Sequence, residues 1–328
     1  AESETPRTVL SHTSTQITLQ VRPDYIAAFD RSWKIGSFSQ LTRDLSTTPS
    51  GSELSLLQTP RPADDESDGK EASDAQVNSK TASVLTPHGW HKFPKGAEAG
   101  NFLHDQLEWL TTEQFALPGN EQLTQRLQRR CERAGRGKHA DFVVTWLSQV
   151  VQTYMPGPAV SLMELEHVLP EMEFWLPADR IEAKEIDAHC CAHILAGVER
   201  PRLGERQLHG MLMGFADLVF EHAGKYWILD YKSNYLGEDD AAYSGDALAN
   251  AMAHHRYDVQ AAIYMLALHR LLKLRLGDTY DPKQHLGGAV YLFLRGIKGP
   301  TSGVCMIPAS IPLMDALGAM LVEEGVAV

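Results

Sequence analysis

No apolar stretch in the 328-residue chain approaches the ~18 uninterrupted residues of a helical membrane span, so none is expected. Cysteine is scarce: Cys131, Cys190, Cys191 and Cys305 are the full set. No two have C-x-x-C spacing, which excludes the usual zinc and iron–sulfur ligand patterns. Cys190 and Cys191 are adjacent, a poor geometry for a bridge, so four reduced thiols of a cytosolic protein are expected. A P-loop is also missing. Gly135-Arg-Gly-Lys138 lacks the leading glycine and the hydroxyl of G-x-x-x-x-G-K-[ST], so the chain should not hydrolyse ATP. Positive charge is in short supply, with 30 basic residues against 42 acidic ones and a net charge of −12. The mean field repels phosphate. Any contact with DNA must come through a local basic patch or a bound cation. With 43% apolar and 22% charged residues, the chain is neither collagen-like nor globally disordered.

The first methionine is Met155 and no signal sequence stands at the front, so the chain is expected to be a piece of something longer. Residues 1–32 contain an alternating run, Gln16 to Val21, which reads as a strand at the tail of a preceding region. Residues 33–45 are a mixed junction. Residues 46–82 are rich in Ser, Thr, Pro, Asp and Glu and hold no aromatics, which reads as a flexible linker or disordered loop. A folded domain is expected over 83–328. Its periodicity predicts helices at Ala97–Leu110, Gln122–Cys131 and Phe142–Tyr154, then a strand at Glu171–Leu176. Two strands follow, Leu208–Glu221 and Lys225–Ser233. Next come one long helix, Ala247–Leu274, a strand at Ala289–Leu294, a short one at Val304–Ile307 and a closing helix at Leu313–Glu324. Strand, hairpin, long helix, strand is an α/β plan whose crossover sets the later strand parallel to an earlier one. No internal repeat is present.

One stretch inverts the global charge. Arg126 to Lys138 holds six basic residues and one acid. It reads either as a solvated helix face or as a phosphate-contacting patch.

The chemistry concentrates in Gly214 to Ser233. Strand side chains alternate faces, so Asp230 and Lys232 share one face while Leu229 and Tyr231 take the other. Reflection through a turn centred between Ala223 and Gly224 sets Asp217 opposite Asp230, with Cβ atoms roughly 4.5–5.5 Å apart. A bulge at Gly224 would shift that register by one. Two acids in otherwise apolar strands need a reason. They could share a proton, bind a hard divalent cation, or form an ion cluster with Lys232. Asp, then Asp-x-Lys, on a hairpin suits metal-assisted phosphodiester cleavage.

The run Gly214 to Gly237, GFADLVFEHAGKYWILDYKSNYLG, resembles the nuclease motif of RecB-type proteins, the beta subunits of exodeoxyribonuclease V, within the PD-(D/E)XK superfamily. Phe93–His104 (FPKGAEAGNFLH), His255–Leu268 (HRYDVQAAIYMLAL) and Gly287–Gly296 (GGAVYLFLRG) are similar to further segments of that family. Trp33–Leu41 (WKIGSFSQL) resembles the junction that follows the family's helicase domains.

The resemblance implies a restriction-endonuclease-like core, a mixed β-sheet flanked by helices. It implies a metal-dependent DNase acting on single-stranded DNA in double-strand-break repair. It implies a metal held by His104, Asp217, Asp230 and the Tyr231 carbonyl, with Lys232 as the catalytic lysine. The metal would be Mg²⁺, and a histidine ligand suggests that Mn²⁺ also serves. Gln260 and Tyr264 match a Q-x-x-x-Y helix motif, with Gln260 orienting Lys232 or the metal site and Tyr264 touching DNA. Glu173 is either a supporting acid or a surface ion-pair partner. The implied partners are RecC-type and RecD-type subunits and RecA recombinase, in a bacterial cytoplasm. A non-catalytic module for docking the recombinase is the alternative. Residues 1–82 carry 12 acids against 8 bases and residues 83–328 carry 30 against 22, so the expected domain is itself acidic. Such a domain suits a nuclease fed by a motor more than one that searches for its substrate.

Overall fold

The computed structural model describes residues 33–42 and 89–321. The expected strand at residues 16–21 and the expected linker at 46–82 lie outside the described residues. The elements are β1 (Lys34–Gly36), α1 (Phe38–Thr42), α2 (Ala97–Thr112), α3 (Glu121–Arg133), α4 (Ala140–Gln152), β2 (His167–Glu182) and α5 (Ala183–His193). There follow β3 (Gln207–His222), β4 (Lys225–Lys232), α6 (Gly245–His254), α7 (Tyr257–Leu276), α8 (Pro282–His285), β5 (Leu286–Phe293), β6 (Val304–Pro308) and α9 (Ile311–Met320).

These strands form one mixed sheet in the order β1-β3-β4-β5-β6, with β2 also paired to β3. The β4–β5 and β1–β3 pairs are parallel and the others antiparallel. The expected crossover between the hairpin and the later strand is therefore present. β5 is buried at all eight positions, as a strand covered on both faces must be. The sheet separates two apolar layers. On one face Leu218, Phe220, Trp227, Leu229, Tyr231, Val290 and Leu292 meet α2, α3 and α4. On the other, Val219, Ile228, Ala289, Tyr291 and Phe293 meet α5, α6, α7 and α9. The molecule is thus an α/β domain with helices on both faces of a mixed sheet.

Several elements differ from the sequence reading, in which β1, α1 and α8 have no counterpart. The helix expected at Ala247–Leu274 is two helices, α6 and α7, broken at His255 and Arg256. Arg256 is left-handed, with φ +58°, and fully buried. Ser244 caps α6, its side chain accepting the Ala247 N–H. The strand expected at Glu171–Leu176 is the centre of the 16-residue β2. Its outward-facing Leu169 and Trp175 are exposed, which blurs the apolar alternation along the strand. α5 has no counterpart in the sequence reading, because Ala183–His193 has little amphipathic periodicity.

The β3–β4 hairpin decides the site. Ala223 and Gly224 form its two-residue turn, both at positive φ (+53° and +77°), the signature of type I′. The ladder runs without a bulge from His222 opposite Lys225 to Leu218 opposite Leu229. One step further along this register lie Asp217 and Asp230. The regular pairing stops there, and the Tyr231 N–H donates instead to the Asp217 carboxylate (2.9 Å).

Candidate active site

α2 begins at Gly96 (φ +93°) and buries Phe102, Leu103, Leu107 and Leu110 against the sheet. That packing turns His104 toward the open end of the hairpin. Its Nδ1 lies 3.2 Å from Asp217 Oδ2. Its ring meets the Tyr231 ring edge-on, with centroids 5.9 Å apart. On the opposite face of β4, Lys232 Nζ is 2.8 Å from Asp230 Oδ2, and both side chains are almost fully buried. The Lys232 ammonium sits over the Tyr257 ring at 3.9 Å, with Tyr291 at 5.7 Å. A buried ammonium is costly in isolation; here a carboxylate and two ring faces replace its hydration.

The structure therefore brings His104, Asp217, Asp230, Tyr231 and Lys232 to one end of the sheet. Gln260 and Tyr264 lie one layer behind. Gln260 Oε1 accepts from the Tyr291 hydroxyl (3.1 Å), and its Nε2 donates to the Tyr264 hydroxyl (3.1 Å). Gln260 thus reaches the lysine's surroundings through Tyr291. Tyr264 is only 6% exposed and packs edge-on against Phe174, so its phenol is placed in the core rather than on an open surface. Glu173 is exposed, and its carboxylate accepts the Trp175 indole N–H (2.9 Å). Its neighbour Glu171 is the acid whose position bears on the site. With Pro170 opposite Leu218 and Met172 opposite Ala216, Glu171 takes the register step facing Asp217, at φ +49°. The sequence signal was there, since Glu171 and Glu173 share one strand, but only the register separates them.

Electrostatics bind the cluster. Burial works against a charged His104, but the Asp217 charge and hydrogen bond, aided by Asp230, prevail over burial and Lys232 and push its pKa up to about 9. The same interaction acts on the acid. Burial opposes ionisation of Asp217, yet His104, the Tyr231 N–H and Lys232 hold its carboxyl below the usual range. Burial, Asp217, Asp230 and Glu171 push the Tyr231 phenol well up. His104 is therefore an imidazolium at neutral pH in the metal-free protein. Its folded pKa exceeds the ordinary 6.5, so its contribution to stability is complete below about pH 6.5 and is lost as pH rises through about 9. Metal-free thermal melts from pH 6 to 10 should show this loss in the parent and not in His104→Ala. NMR titration of the ring should give a midpoint near 9, and one near 6.5 would mean the pair does not form.

The donors suit a hard divalent cation in kind: two carboxylates, an imidazole and the Tyr231 carbonyl. Among the described residues, no three His, Cys, Asp or Glu groups stand in a ready-made metal cage. The acids are instead held in two ion pairs, Asp217 with His104 and Asp230 with Lys232.

A model of the PD-(D/E)XK nuclease superfamily matches residues 89–324, spanning every site residue just described. The chain belongs to the PD-(D/E)XK nuclease superfamily. It is similar to the RecBCD enzyme subunit RecB of Escherichia coli K12, at 40% identity over 74% of this chain and 20% of that protein. The protein of the same name from Haemophilus influenzae is 30% identical over 90% of this chain and 24% of its own length. The one from Mycobacterium tuberculosis H37Rv is 28% identical over 84% and 26%. The chain spans a fifth to a quarter of the length of these relatives. It carries a PD-(D/E)XK nuclease domain similar to part of RecB, of a superfamily that generally uses divalent metal ions. No helix among the described residues is long and apolar enough to cross a membrane.

The PD-(D/E)XK site is braced by Arg295, just beyond β5. Its buried guanidinium donates to the carbonyls of Ser233, Trp90, Phe93 and Pro94. One side chain thus fixes the exit from β4 to the entry of α2. The basic stretch falls on α3 and the turn after it, and its residues divide into two sets. Arg126 pairs with Glu113 (2.6 Å), Arg130 donates to Gln106 (2.6 Å), and Arg136 pairs with Glu98 (3.1 Å). Arg129, Arg133 and Lys138 are exposed.

Proposed function

We propose that the chain is a metal-dependent DNase domain of a RecB-type helicase-nuclease, hydrolysing phosphodiester bonds of single-stranded DNA during double-strand-break repair. The observation that carries this is the hairpin end, where Asp217, Asp230 and Lys232 meet His104 from α2. His104, Asp217, Asp230 and the Tyr231 carbonyl would hold Mg²⁺, with Mn²⁺ as a substitute. When bound, the cation supplies Lewis acidity toward the scissile phosphate and an attacking water. Lys232, held by Asp230 and the Tyr257 ring, orients that water and offsets charge developing on the phosphate. Asp217 anchors the strand end through the Tyr231 N–H. Gln260 fixes Tyr291 beside the lysine, and Tyr264 fixes Gln260. In-line attack would leave a 5′-phosphate and a 3′-hydroxyl.

In this reading RecC-type and RecD-type subunits complete the enzyme, and RecA recombinase docks on it. The alternative, a docking module without catalysis, has no use for a buried Asp–Lys pair and a charged His–Asp pair at one strand end. Incubation with linear and circular single-stranded DNA and Mg²⁺ should give cleavage that EDTA abolishes. No cleavage in Mg²⁺ or Mn²⁺ would favour docking.

The division of the basic stretch gives a separate expectation. Arg129→Glu with Arg133→Glu should weaken DNA binding and flatten its salt dependence, by about 0.7 in log–log slope for each phosphate no longer neutralised. Arg130 is left in place because it is tied to α2. Unchanged affinity would make the exposed arginines an ordinary solvated face.

A further inference from the structure

Tyr235 lies three residues past Lys232, within about 10 Å of chain. Its loop leaves the carboxyl end of β4, beside that of the parallel strand β5, where open α/β sheets bind their ligands. The loop is held unusually well. The Tyr243 hydroxyl donates to the Asn234 carbonyl (3.1 Å) and accepts the Leu236 N–H (3.2 Å), fixing the backbone on both sides of Tyr235. Arg295 holds Ser233 from below. Tyr243 is in turn buried against His91, whose ring is hydrogen-bonded to Asp240 (2.8 Å).

All of this fastens the backbone of a residue whose own side chain is only partly buried. Lys95 Nζ rests over the Tyr235 ring, 3.3 Å from its centroid. Lys95 is exposed and directly follows Pro94, another Arg295 anchor. The same guanidinium therefore positions both an aromatic face and a flexible cation at the rim of the nuclease site.

We propose that Tyr235 and Lys95 form a nucleotide subsite, in which a base next to the scissile phosphate stacks on Tyr235 and the Lys95 ammonium takes a backbone phosphate. This rests on the nuclease reading and names the contact that makes the substrate single-stranded. A base stacked inside a duplex has no free face to offer. An unpaired base does, and a rigid ring accepts any of the four bases. Lys95 is the movable partner: its stem lets the ammonium leave the ring for a phosphate, while the tyrosine backbone stays fixed.

The test uses the 328-residue chain with oligo(dT) and with one abasic residue scanned through it, Ca²⁺ replacing Mg²⁺ during binding. Tyr235→Ala should weaken oligo(dT) binding about ten-fold, with an unchanged melting curve. Tyr235→Trp should restore affinity, and its indole fluorescence should be quenched on binding. At one position of the scan the abasic residue should erase the difference between parent and Tyr235→Ala. Lys95→Ala should lower the salt slope by about 0.7. If Tyr235→Ala binds like the parent while Asp230→Asn still loses cleavage, the subsite is wrong and the nuclease reading stands. If Asp230→Asn cleaves like the parent, the nuclease site itself is misassigned.

Discussion

Asp230→Asn is expected to lower Mg²⁺-dependent cleavage of single-stranded DNA by about a thousandfold, the order of loss seen when a group stabilising transition-state charge is removed. The amide keeps the shape of the carboxylate but removes its negative charge. Metal affinity falls with that charge, while the amide oxygen can still accept from the Lys232 ammonium, which lies 2.8 Å from the parent carboxylate. Asparagine is a better test than alanine. With alanine, the buried ammonium loses both the counter-charge and the oxygen of Asp230, and stripping one partner from a buried pair costs about 3–5 kcal/mol. A drop in activity could then be plain unfolding. The expected result is therefore a near-parental melting temperature with cleavage lost, and raising Mg²⁺ should recover only part of it. Parental cleavage by Asp230→Asn would remove Asp230 from the site.

The second large effect is on stability. Arg256→Ala should destabilise the domain by about 3–5 kcal/mol. Arg256 is fully buried, with Nη2 2.6 Å from Asp187 and Nε 3.1 Å from Asp258. Its Nη1 also donates to the Pro201 carbonyl (2.9 Å). Arg200 supports Asp258 at 2.7 Å, but once Arg256 is gone Asp187 loses its guanidinium and keeps the Leu203 N–H (3.2 Å) and the Cys191 thiol (3.4 Å) as donors. For a domain of this size the melting temperature should fall by about 10 °C. Arg256 also sits at the left-handed break that starts α7, the helix carrying Tyr257 and Gln260. Activity should fall with stability and return on cooling, as the loss of a scaffold predicts. A melting temperature within about 2 °C of the parent, less than ~1 kcal/mol at this size, would show that the buried cluster contributes little.

Much of the site was legible because a hairpin with a two-residue turn has only one unshifted register. Ala223 and Gly224 at the centre set Asp217 one step past the last regular pair, and strand alternation put Lys232 with Asp230. His104, Gln260 and Tyr264 came from resemblance alone, since nothing in helical spacing distinguishes a site histidine from a core one. Glu171 could not be told from Glu173, because the choice depends on which step of β2 faces Asp217. The break at Arg256 was hidden by continuous helix-forming residues. It depends on Asp187 and Asp258, one of them 69 residues away, and long-range ion pairs leave no local trace. The basic stretch was visible as charge, but only packing against α2 shows that half of it is occupied.

The Arg295 clamp also has a meaning in time. Its hydrogen bonds to Trp90, Phe93 and Pro94 join residues 201–205 positions apart. Contacts that distant cannot form until the later segment exists, and they form late because closing so large a loop is slow. A nascent chain that has emerged only as far as Lys232 carries both aspartates and the lysine, but the entry to the His104 helix is not yet fastened. The entry to the His104 helix and the exit of the hairpin strand are therefore tied together only once β5 and the residue after it are in place.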